Sequence, residues 1–406
     1  MDHGIELHPW DIAEEGLEQT LAQVALLGAN RLSVTAAWPG QAVMRPHAPA
    51  QRLHFPERGA AYFKPDKDLW KDTRFRPNVA DLVMVDDIFS TLPVRAQREG
   101  LALEARIVFL PYVPPPVAVS AEPTGPESKP FRPETLYVRN AFGDRLPGYL
   151  CPAREEVRRY LIDLAGDIAS SGVESIVLEQ YGFPLFDFSR MSGADVIADA
   201  PAAQFLMGVC FCDACVARGE AMNIEISPLA WRVRNFLERV LSGESGPVPP
   251  LTASPDGLAE IDELLPAYLR SRNDIVGTLV RDLRSELRDD VRVTAFPASR
   301  FPATQAWREG GEVARLAAGA DVIRLQGEAP DEGRLKADLD IARRRAGGRA
   351  TLSLRLSPDS PHGQTFEEFA KKVAMARDLG IESIVFANLG ELANSHVKWL
   401  SKVIAV

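Results

Sequence analysis

The chain has 406 residues, of which 46% are hydrophobic and 25% are charged, and its formal net charge is −10. This composition is that of a globular protein with a large buried core. The acidic balance, without any stripe of Lys and Arg, excludes nucleic acid and anionic membranes as expected partners. The N-terminus MDHGIELHPWD lacks the basic and apolar regions of a signal peptide, and no apolar run could span a bilayer, so we expect a cytoplasmic protein.

Eight short segments have the β-branched, apolar character of buried parallel strands. In chain order they are Gly4–His8, Arg31–Trp38, Leu101–Leu110, Glu174–Gln180, Arg292–Phe296, Asp321–Gln326, Ala350–Leu356 and Glu382–Asn388. Most gaps between them contain a segment with helical periodicity, namely Gly16–Leu27, Glu155–Ser170, Val276–Leu287 and Phe366–Leu379. Several of these segments end at Gly before the next strand, as in SSGVESIVL, which is a helix stop signal.

Eight strands that alternate with helices predict an α/β fold, a (β/α)8 TIM barrel. A doubly wound sheet is the alternative, but no glycine-rich phosphate loop follows the first strand. We expect one barrel domain over residues 1–406. Its long loops follow strands 2, 3 and 4, and the segment 184–290 forms a helical and loop insertion. All of these loops would lie on the C-terminal face, where barrel enzymes build their active sites.

Three of the four cysteines lie in the stretch VCFCDAC, as Cys210, Cys212 and Cys215, and the fourth is Cys151. Four thiolates are sufficient for a closed tetrahedral zinc site, and clustered cysteines in a reducing compartment bind metal more often than they form disulfides. A closed site leaves no coordination position for substrate. We therefore expect a structural Zn²⁺ that fixes the fourth loop, with four unpaired thiols as the alternative, and no organic cofactor.

The arrangement of these cysteines resembles a known family. One cysteine before the fourth strand and a C-x-C-x-x-C cluster after it are similar to the zinc site of glycoside hydrolase family 42 β-galactosidases. The phrase LCPAREEVRRYLIDLAGDIASSGVESIVLEQYGF also resembles glycoside-hydrolase-like bacterial barrel proteins. The resemblance covers mainly residues 140–216, and it implies a barrel, a zinc ion and a catalytic carboxylate at the end of the fourth strand.

Alternate residues of each predicted strand face the barrel axis, and many of those residues are polar. The candidates for substrate binding on these strands are Glu6, Glu104, Arg106, Arg324, Arg355 and Asn388. A purely structural barrel would have Val, Ile and Leu at most such positions. Buried charges are costly unless they are paired, so these Glu and Arg side chains must contact each other or a polar ligand. For Glu6 and Glu104, internal ion pairs are favoured.

Glu179 is the first catalytic candidate, because it ends the fourth strand where the resemblance implies an acid/base carboxylate. A glycosidase normally needs a second carboxyl group, and the seventh strand, LSLRLSPDS, has none in place of the nucleophilic Glu of family 42. Glu6, Glu104, Glu328 and Asp359 are left as alternatives for the partner. An internal salt bridge from Glu179 to a neighbouring Arg is the competing interpretation.

Four further candidates lie where strands meet their loops. His8, in ELHPWD, is a second catalytic candidate with an ordinary pKa suited to acid/base work, although a packed, hydrogen-bonded His fits the pattern equally. Arg45 and His47 lie in a loop rich in Arg, His and aromatic residues, of the kind that closes over ligands. Tyr181 follows the fourth strand and offers an aromatic face to a sugar ring.

These observations favour a carbohydrate-active enzyme, most simply one that hydrolyses a glycosidic bond in a small glycoside or oligosaccharide. A barrel that isomerises, epimerises or eliminates a sugar or sugar acid is the first alternative. The second alternative is a non-catalytic sugar-binding homologue of a hydrolase. Fold analogy does not choose among the three. Whether the chain forms homo-oligomers is left open.

Overall fold

The computed structural model of the protein describes residues 1–405 apart from positions 49, 74, 110–132, 187, 189–190, 245, 247, 300–301 and 360–364. The end of the predicted third strand, Leu110, and much of the predicted third loop therefore lie outside the described residues.

Eight parallel strands form a closed ring at the centre of the fold. They are β1 (Asp2–Leu7), β2 (Arg31–Trp38), β3 (Ala102–Val108), β4 (Ser175–Glu179), β5 (Arg292–Ala295), β6 (Val322–Gln326), β7 (Thr351–Leu356) and β8 (Ser383–Phe386). Each strand pairs with the next along the chain, and β8 pairs with β1, in the register Asp2 to Ser383 and Ile5 to Phe386. The ring confirms the predicted (β/α)8 barrel.

Helices connect the strands and cover the outside of the ring. They are α1 (Pro9–Glu15), α2 (Leu17–Leu26), α3 (Lys67–Trp70), α4 (Asp81–Val85), α5 (Leu92–Arg98), α6 (Glu155–Ala169), α7 (Pro201–Met207), α8 (Asp213–Glu220), α9 (Ile226–Leu241), α10 (Leu265–Glu286), α11 (Val313–Leu316), α12 (Glu332–Ala346), α13 (Phe366–Asp378) and α14 (Asn394–Ile404). Short 3₁₀ turns occur at Ile88–Ser90, Pro133–Leu136, Ala194–Ile197, Pro255–Glu260, Ala303–Arg308 and Leu389–Glu391. Within the described ranges, no helix is both long and apolar enough to cross a bilayer.

Short strand pairs occur in the loops after β2 and β3. Val43–Met44 pairs with Leu53–His54, and Tyr137–Arg139 pairs with Arg145–Leu150. Ala60–Ala61 adds to the edge of β2, and Asn78–Val79 adds to Ala60–Ala61 in turn. The backbone of the β2 loop is thereby hydrogen-bonded to the barrel wall at its C-terminal end.

The longest insertion in the barrel follows β4 and has an apolar core of its own. Helices α7 and α9 bury Leu206, Leu229, Val233 and Leu237 against one another, separately from the main core of the barrel. Helix α10, which follows, packs against α6 and leads into β5, so it takes the position of the barrel helix between these two strands. The predicted insertion 184–290 therefore includes this barrel helix, which begins earlier than its predicted start at 276.

Candidate active site

The barrel axis is occupied by ionic side chains in two layers. In the lower layer, Arg324 of β6 donates from Nη1 and Nη2 to the two carboxylate oxygens of Glu104 on β3, at 2.8 and 2.9 Å. Arg31 of β2 adds a third hydrogen bond to Glu104, at 3.2 Å. Burial raises the pKa of Glu104, but Arg324 and Arg31 more than offset this, and the pKa lies below its ordinary value.

The upper layer is formed by one glutamate that is shared between two arginines. Oε2 of Glu6 on β1 accepts from Nη1 of Arg106 on β3, at 2.9 Å. The same oxygen accepts from Nε of Arg355 on β7, at 2.9 Å, and lies 2.7 Å from its Nη2. Glu6 Oε1 is buried and has no hydrogen-bond partner among the described residues. The layer thus contains a buried acceptor that none of the described residues satisfies.

Glu179, at the C-terminal end of β4, lies between the same two arginines. Its Oε2 is 3.6 Å from Nη1 of Arg106, and its Oε1 is 3.7 Å from Nη1 of Arg355. Both distances exceed those of a hydrogen bond, so the contacts are electrostatic only. Oε2 is buried, and none of the described residues provides it with a hydrogen bond. The next residue, Gln180, has a φ of 53°, a left-handed conformation that is uncommon outside Gly.

His8 lies above these arginines and is neutral at pH 7. It is fully buried and stacks on Trp10 with a centroid distance of 4.1 Å. Burial lowers the pKa of His8 to about 4, although the hydrogen bond to Glu391 opposes this shift. Thr35 Oγ1 accepts from Arg106 at 2.8 Å and lies 3.1 Å from Nδ1 of His8. The hydroxyl can therefore donate to Nδ1, which leaves the ring hydrogen on Nε2.

Glu391 is a carboxylate of this site that the sequence did not reveal. It ends the 3₁₀ turn Leu389–Glu391 after β8, and its Oε1 lies 2.9 Å from Nε2 of His8. Its side chain is 41% exposed. Burial raises the pKa of Glu391, but the hydrogen bond from His8 and the charges of Arg106 and Arg355 more than compensate, so the net direction is downward. The charges of Arg106 and Arg355 thus act on both Glu391 and Glu179.

Asn388 precedes this turn, and its Nδ2 lies 2.7 Å from Nε2 of His8. With the ring hydrogen on Nε2, the amide accepts from His8 only when it is turned so that Oδ1 takes this position. The turn itself packs tightly against α1, because a Cβ at Gly390 would lie 2.4 Å from Oδ2 of Asp11. Only Gly is compatible with this approach. The backbone that presents Glu391 is therefore fixed directly against the first helix.

The predicted residues Arg45 and His47 differ in their surroundings. Arg45 is buried, donates from Nε to Oδ1 of Asp11 at 2.6 Å and reaches Glu14 with Nη1 at 2.5 Å. Burial raises the pKa of Asp11 to about 6, against the lowering effect of Arg45. His47 is half-buried, and its Nδ1 has no hydrogen-bond partner in the described part of the chain. Arg45 is therefore committed to an internal ion pair, whereas His47 has a free ring nitrogen.

Aromatic rings form one wall of the site. Trp38, at the end of β2, is partly exposed and lies edge-on to His8 at 4.8 Å, and its ring is 5.8 Å from the guanidinium of Arg106. Trp10 stacks between His8 and His54, at 4.1 and 4.5 Å. Such faces suit the C–H surfaces of sugar rings as well as ordinary packing.

The structure separates the sequence candidates into two groups. Those that meet at the upper layer and the mouth above it are Glu6, His8, Arg106, Glu179, Arg355 and Asn388. Glu104 and Arg324 pair with each other in the lower layer. Tyr181 is buried beside Gly182 and Glu309 in a small pocket that also contains Val276 of α10. Asp359, an alternative partner for Glu179, is instead hydrogen-bonded to His396.

The upper layer and Glu391 together carry a net negative charge. Three carboxylates, those of Glu6, Glu179 and Glu391, face the two guanidinium groups of Arg106 and Arg355. Because His8 is neutral, the sum of these five groups is −1. Such a charge favours a neutral or basic ligand over an anionic one.

The four cysteines lie together beside the barrel, as their spacing predicted. Their Sγ atoms are all within 4.8 Å of one another, with Cys151 Sγ 3.5 Å from Cys215 Sγ and 3.8 Å from Cys212 Sγ. All four side chains are buried and free of disulfides. Backbone N–H groups of Arg139 and Cys212 point at Cys210 Sγ, at 3.4 Å each. The cluster is compatible with a metal site, and it is the one such group of His, Cys, Asp or Glu among the described residues.

No protein-family model matches this sequence, and no curated protein matches it in sequence. Solved structures with a similar fold include a GH18 chitinase from Pseudoalteromonas aurantia, at 9% identity and a TM-score of 0.43 over 100% of this chain and 99% of that one. An endo-β-1,4-mannanase from Thermotoga petrophila shares 10% identity, with a TM-score of 0.42 over 100% and 76%. The spore cortex-lytic enzyme SleL of Bacillus megaterium QM B1551 shares 7%, with a TM-score of 0.42 over 99% and 73%. Likenesses at this level carry no argument about chemistry.

Proposed function

We propose that this protein is a carbohydrate-active enzyme that hydrolyses the glycosidic bond of a small glycoside or oligosaccharide. The observation that carries the proposal is the pair of carboxylates Glu179 and Glu391. One ends β4 and the other follows β8, so they come from opposite sides of an eight-stranded ring. Glycosidases work with two carboxyl groups on either side of the scissile bond.

Glu179 is proposed as the general acid/base. Its Oε2 has no hydrogen-bond partner among the described residues, and its contacts to Arg106 and Arg355 are longer than hydrogen bonds. A sugar that fills the mouth would bring its glycosidic oxygen to this carboxyl group, which would donate a proton to the leaving oxygen and then accept one from water.

Glu391 is proposed as the opposing carboxylate. His8 Nε2 holds one of its oxygens, and Arg106 and Arg355 favour its ionised form. An ionised carboxylate is suited to attack the anomeric carbon or to activate a water molecule, and the separation of the two carboxyl groups in a sugar complex would distinguish these roles. With Glu179 protonated as the acid, Glu6 and Glu391 balance Arg106 and Arg355, and this absence of net charge supports a neutral sugar as substrate. His8, neutral and tied to Thr35, would position Glu391 and supply no proton.

The four cysteines are proposed to hold a structural Zn²⁺. A tetrahedral ion with Zn–S distances of about 2.3 Å places its ligands roughly 3.8 Å apart. The two sulfur separations above, 3.5 and 3.8 Å, are close to this value. Four thiolates leave no open position, so the ion would fix the β4 loop to the start of α6 and take no part in turnover.

The proposal is tested by assaying the purified protein on a panel of aryl glycosides and short neutral oligosaccharides. We expect Glu179→Gln and Glu391→Gln to lower kcat/KM by about 10²–10⁴-fold, the usual contribution of a positioned acid or base. Glu18→Gln, on the surface beside Arg95, is the matched control. Loss of the general acid should harm substrates with poor leaving groups far more than dinitrophenyl glycosides, because the latter need no protonation.

Proton transfer within a free sugar, one that has no glycosidic bond to be cleaved, is the second candidate function. The contact between neutral His8 and the carboxylate of Glu391 favours it. A neutral imidazole beside a carboxylate can move a proton between adjacent sugar carbons. In that case wild-type protein would interconvert aldoses and ketoses or epimers, His8→Gln would abolish this conversion, and no aryl glycoside would be cleaved. Sugar-dependent thermal stabilisation without turnover of either kind would leave a binding protein and refute both enzymatic proposals.

A further inference from the structure

Arg272 on α10 is a buried cation that lacks a carboxylate partner. Its side chain is 1% exposed, and its Nη2 donates to the carbonyl oxygen of Arg308 at 3.1 Å. Its Nε and Nη1 are buried, and none of the described residues provides them with a hydrogen-bond acceptor or provides Arg272 with an Asp or Glu counter-charge. A buried ion without a counter-charge is strongly unfavourable, so the position requires an explanation.

Aromatic contacts account for only part of its burial. The guanidinium lies 4.2 Å from the ring centroid of Phe183 and 5.7 Å from that of Phe205. A cation–π contact offsets less than the desolvation penalty of a fully buried ion. Neither ring accepts a hydrogen bond from Nε or Nη1 of Arg272, as an anion would.

The cysteine cluster lies close to Arg272, and its thiols Cys215, Cys210 and Cys151 are the nearby groups that can carry negative charge. Tyr268 lies one turn earlier on α10, and its hydroxyl donates to the carbonyl oxygen of Cys210. The ring of Tyr268 also stacks on Phe211 at 5.3 Å. Helix α10 therefore brings Arg272 close to the cluster.

A second cation lies near the same cluster. Arg154, three residues after Cys151, interacts with Cys212, Cys151 and Cys210, and its buried Nε has no hydrogen-bond acceptor in the described part of the chain. Its side chain is 21% exposed and shares its charge with Asp213 at 3.6 Å. A Zn²⁺ ion with four thiolates has a net charge of −2, from +2 and −4. Arg272 would offset half of that charge, and Arg154 would offset part of the rest.

We propose that Arg272, with the partly exposed Arg154 as a second partner, is the counter-charge of a four-thiolate zinc site, so that metal binding and the burial of Arg272 stabilise each other. The inference rests on the zinc proposed above and is independent of the hydrolytic chemistry. It explains why α10 carries a buried Arg at a position that packing alone would fill with Met or Leu.

The test measures zinc affinity and stability on the full-length protein. Zinc bound per chain is determined by elemental analysis, and affinity by competition with a chromogenic chelator for the wild type and for Arg272→Met and Arg272→Lys. We expect Arg272→Met to weaken zinc binding by about 10- to 100-fold, as for other residues that support metal ligands, and Arg272→Lys to recover part of this loss. Arg158→Met is the matched control, because Arg158 is buried next to α10 but is paired with Asp282.

Urea unfolding of the zinc-loaded and chelator-treated forms separates charge balance from packing. The charge that Arg272 would balance is that of the zinc-loaded thiolates. Arg272→Met should therefore lower the urea midpoint of the zinc form by more than that of the metal-free form. A packing role for Arg272 would lower both equally.

The outcomes distinguish the two proposals. If the wild type binds no zinc, the zinc site fails and this inference fails with it. If the wild type binds zinc and Arg272→Met binds it equally well, only the role of Arg272 is refuted. Should Arg272→Met not fold, Arg272→Gln and Arg154→Gln, the latter at a partly exposed position, give the same measurement. Unchanged zinc affinity in Arg154→Gln and in whichever Arg272 variant folds without the charge would overturn the proposal.

Discussion

The lower ionic layer of the barrel gives a prediction with an unusual asymmetry. Removing the charge of Glu104 by Glu104→Gln leaves Arg324 fully buried, with only the hydroxyl of Ser353 near its Nε at 3.1 Å. Removing Arg324 by Arg324→Met leaves Glu104 with Arg31, which lies 3.2 Å away and is only partly buried. The first change creates an unpaired buried charge, and the second does not.

The expected magnitudes follow from the cost of such charges. Breaking a buried pair so that one ion is left alone costs about 3–5 kcal/mol, and this applies to Glu104→Gln. We expect Arg324→Met to cost roughly half as much, because Arg31 still neutralises Glu104. With an unfolding entropy of about 2.1 cal/mol/K per residue, the 406-residue chain has a total of about 0.85 kcal/mol/K. A loss of 4 kcal/mol then lowers Tm by roughly 5 °C.

Urea and thermal unfolding at pH 7 measure both variants against the wild type. The double variant Glu104→Gln/Arg324→Met closes the cycle, and we expect it to be more stable than Glu104→Gln, since two neutral side chains leave neither partner of the pair as a buried charge. The reasoning is refuted if Arg324→Met is as destabilising as Glu104→Gln or more so. Because both residues were candidates for substrate binding, unchanged sugar affinity in the variants would limit them to a structural role.

The remaining predictions concern pH and backbone packing. Because the folded-state pKa of His8, about 4, lies below 6.5, protonation favours the unfolded chain, and this contribution makes stability rise with pH between about 4 and 6.5. The folded-state pKa of Asp11, about 6, lies above 3.8, so its contribution makes stability fall with pH over nearly the same window. Urea unfolding from pH 4 to 7 should therefore show a steeper rise than wild type for Asp11→Asn and a shallower one for His8→Gln; parallel profiles would contradict both pKa directions. Gly390→Ala should destabilise the protein by about 1–3 kcal/mol through overpacking, whereas Gly166→Ala, in the open middle of α6, should stabilise it by about 0.5–1 kcal/mol, as measured by thermal melting. Equal Tm values for these two variants would refute the tight contact at Gly390.

Local pattern was sufficient for the barrel because each of its strands is buried and apolar on the side that faces the helices. The strand Arg31–Trp38 was predicted with the bounds that it has. Helix α10 was predicted from 276 but begins at Leu265, since its first turns carry the polar run RSRND that hides the apolar face. Tyr268, Leu269 and Arg272 of this stretch are nevertheless buried, because the insertion after β4 covers them. The residues of this stretch give no local sign that the insertion after β4 covers them.

The site was predictable where it depends on strand alternation and not where it depends on distant contacts. Alternation identified Glu6, Arg106 and Arg355 as inward-facing, and the structure joins them. Glu391 escaped because it lies in a short turn after β8, and its contact with His8 spans 383 positions of the chain. The signal that could have found it is the motif NLGEL directly after a buried strand, with Gly at the point of closest approach to α1.

The pairing of the first strand with the last has a consequence for synthesis on the ribosome. Asp2–Leu7 is made first, but its partner Ser383–Phe386 emerges almost 380 residues later. Until then the nascent sheet has an open edge on each side, and Glu6 lacks its ion pair with Arg355 until the seventh strand has been made. Open edges and a lone charge favour contacts with other chains, so we expect chaperones to protect the unfinished polypeptide. Messenger RNAs truncated before codon 383 should therefore yield chains that aggregate. Changes to the loops on the C-terminal face would leave the order in which the first and last strands are made unchanged.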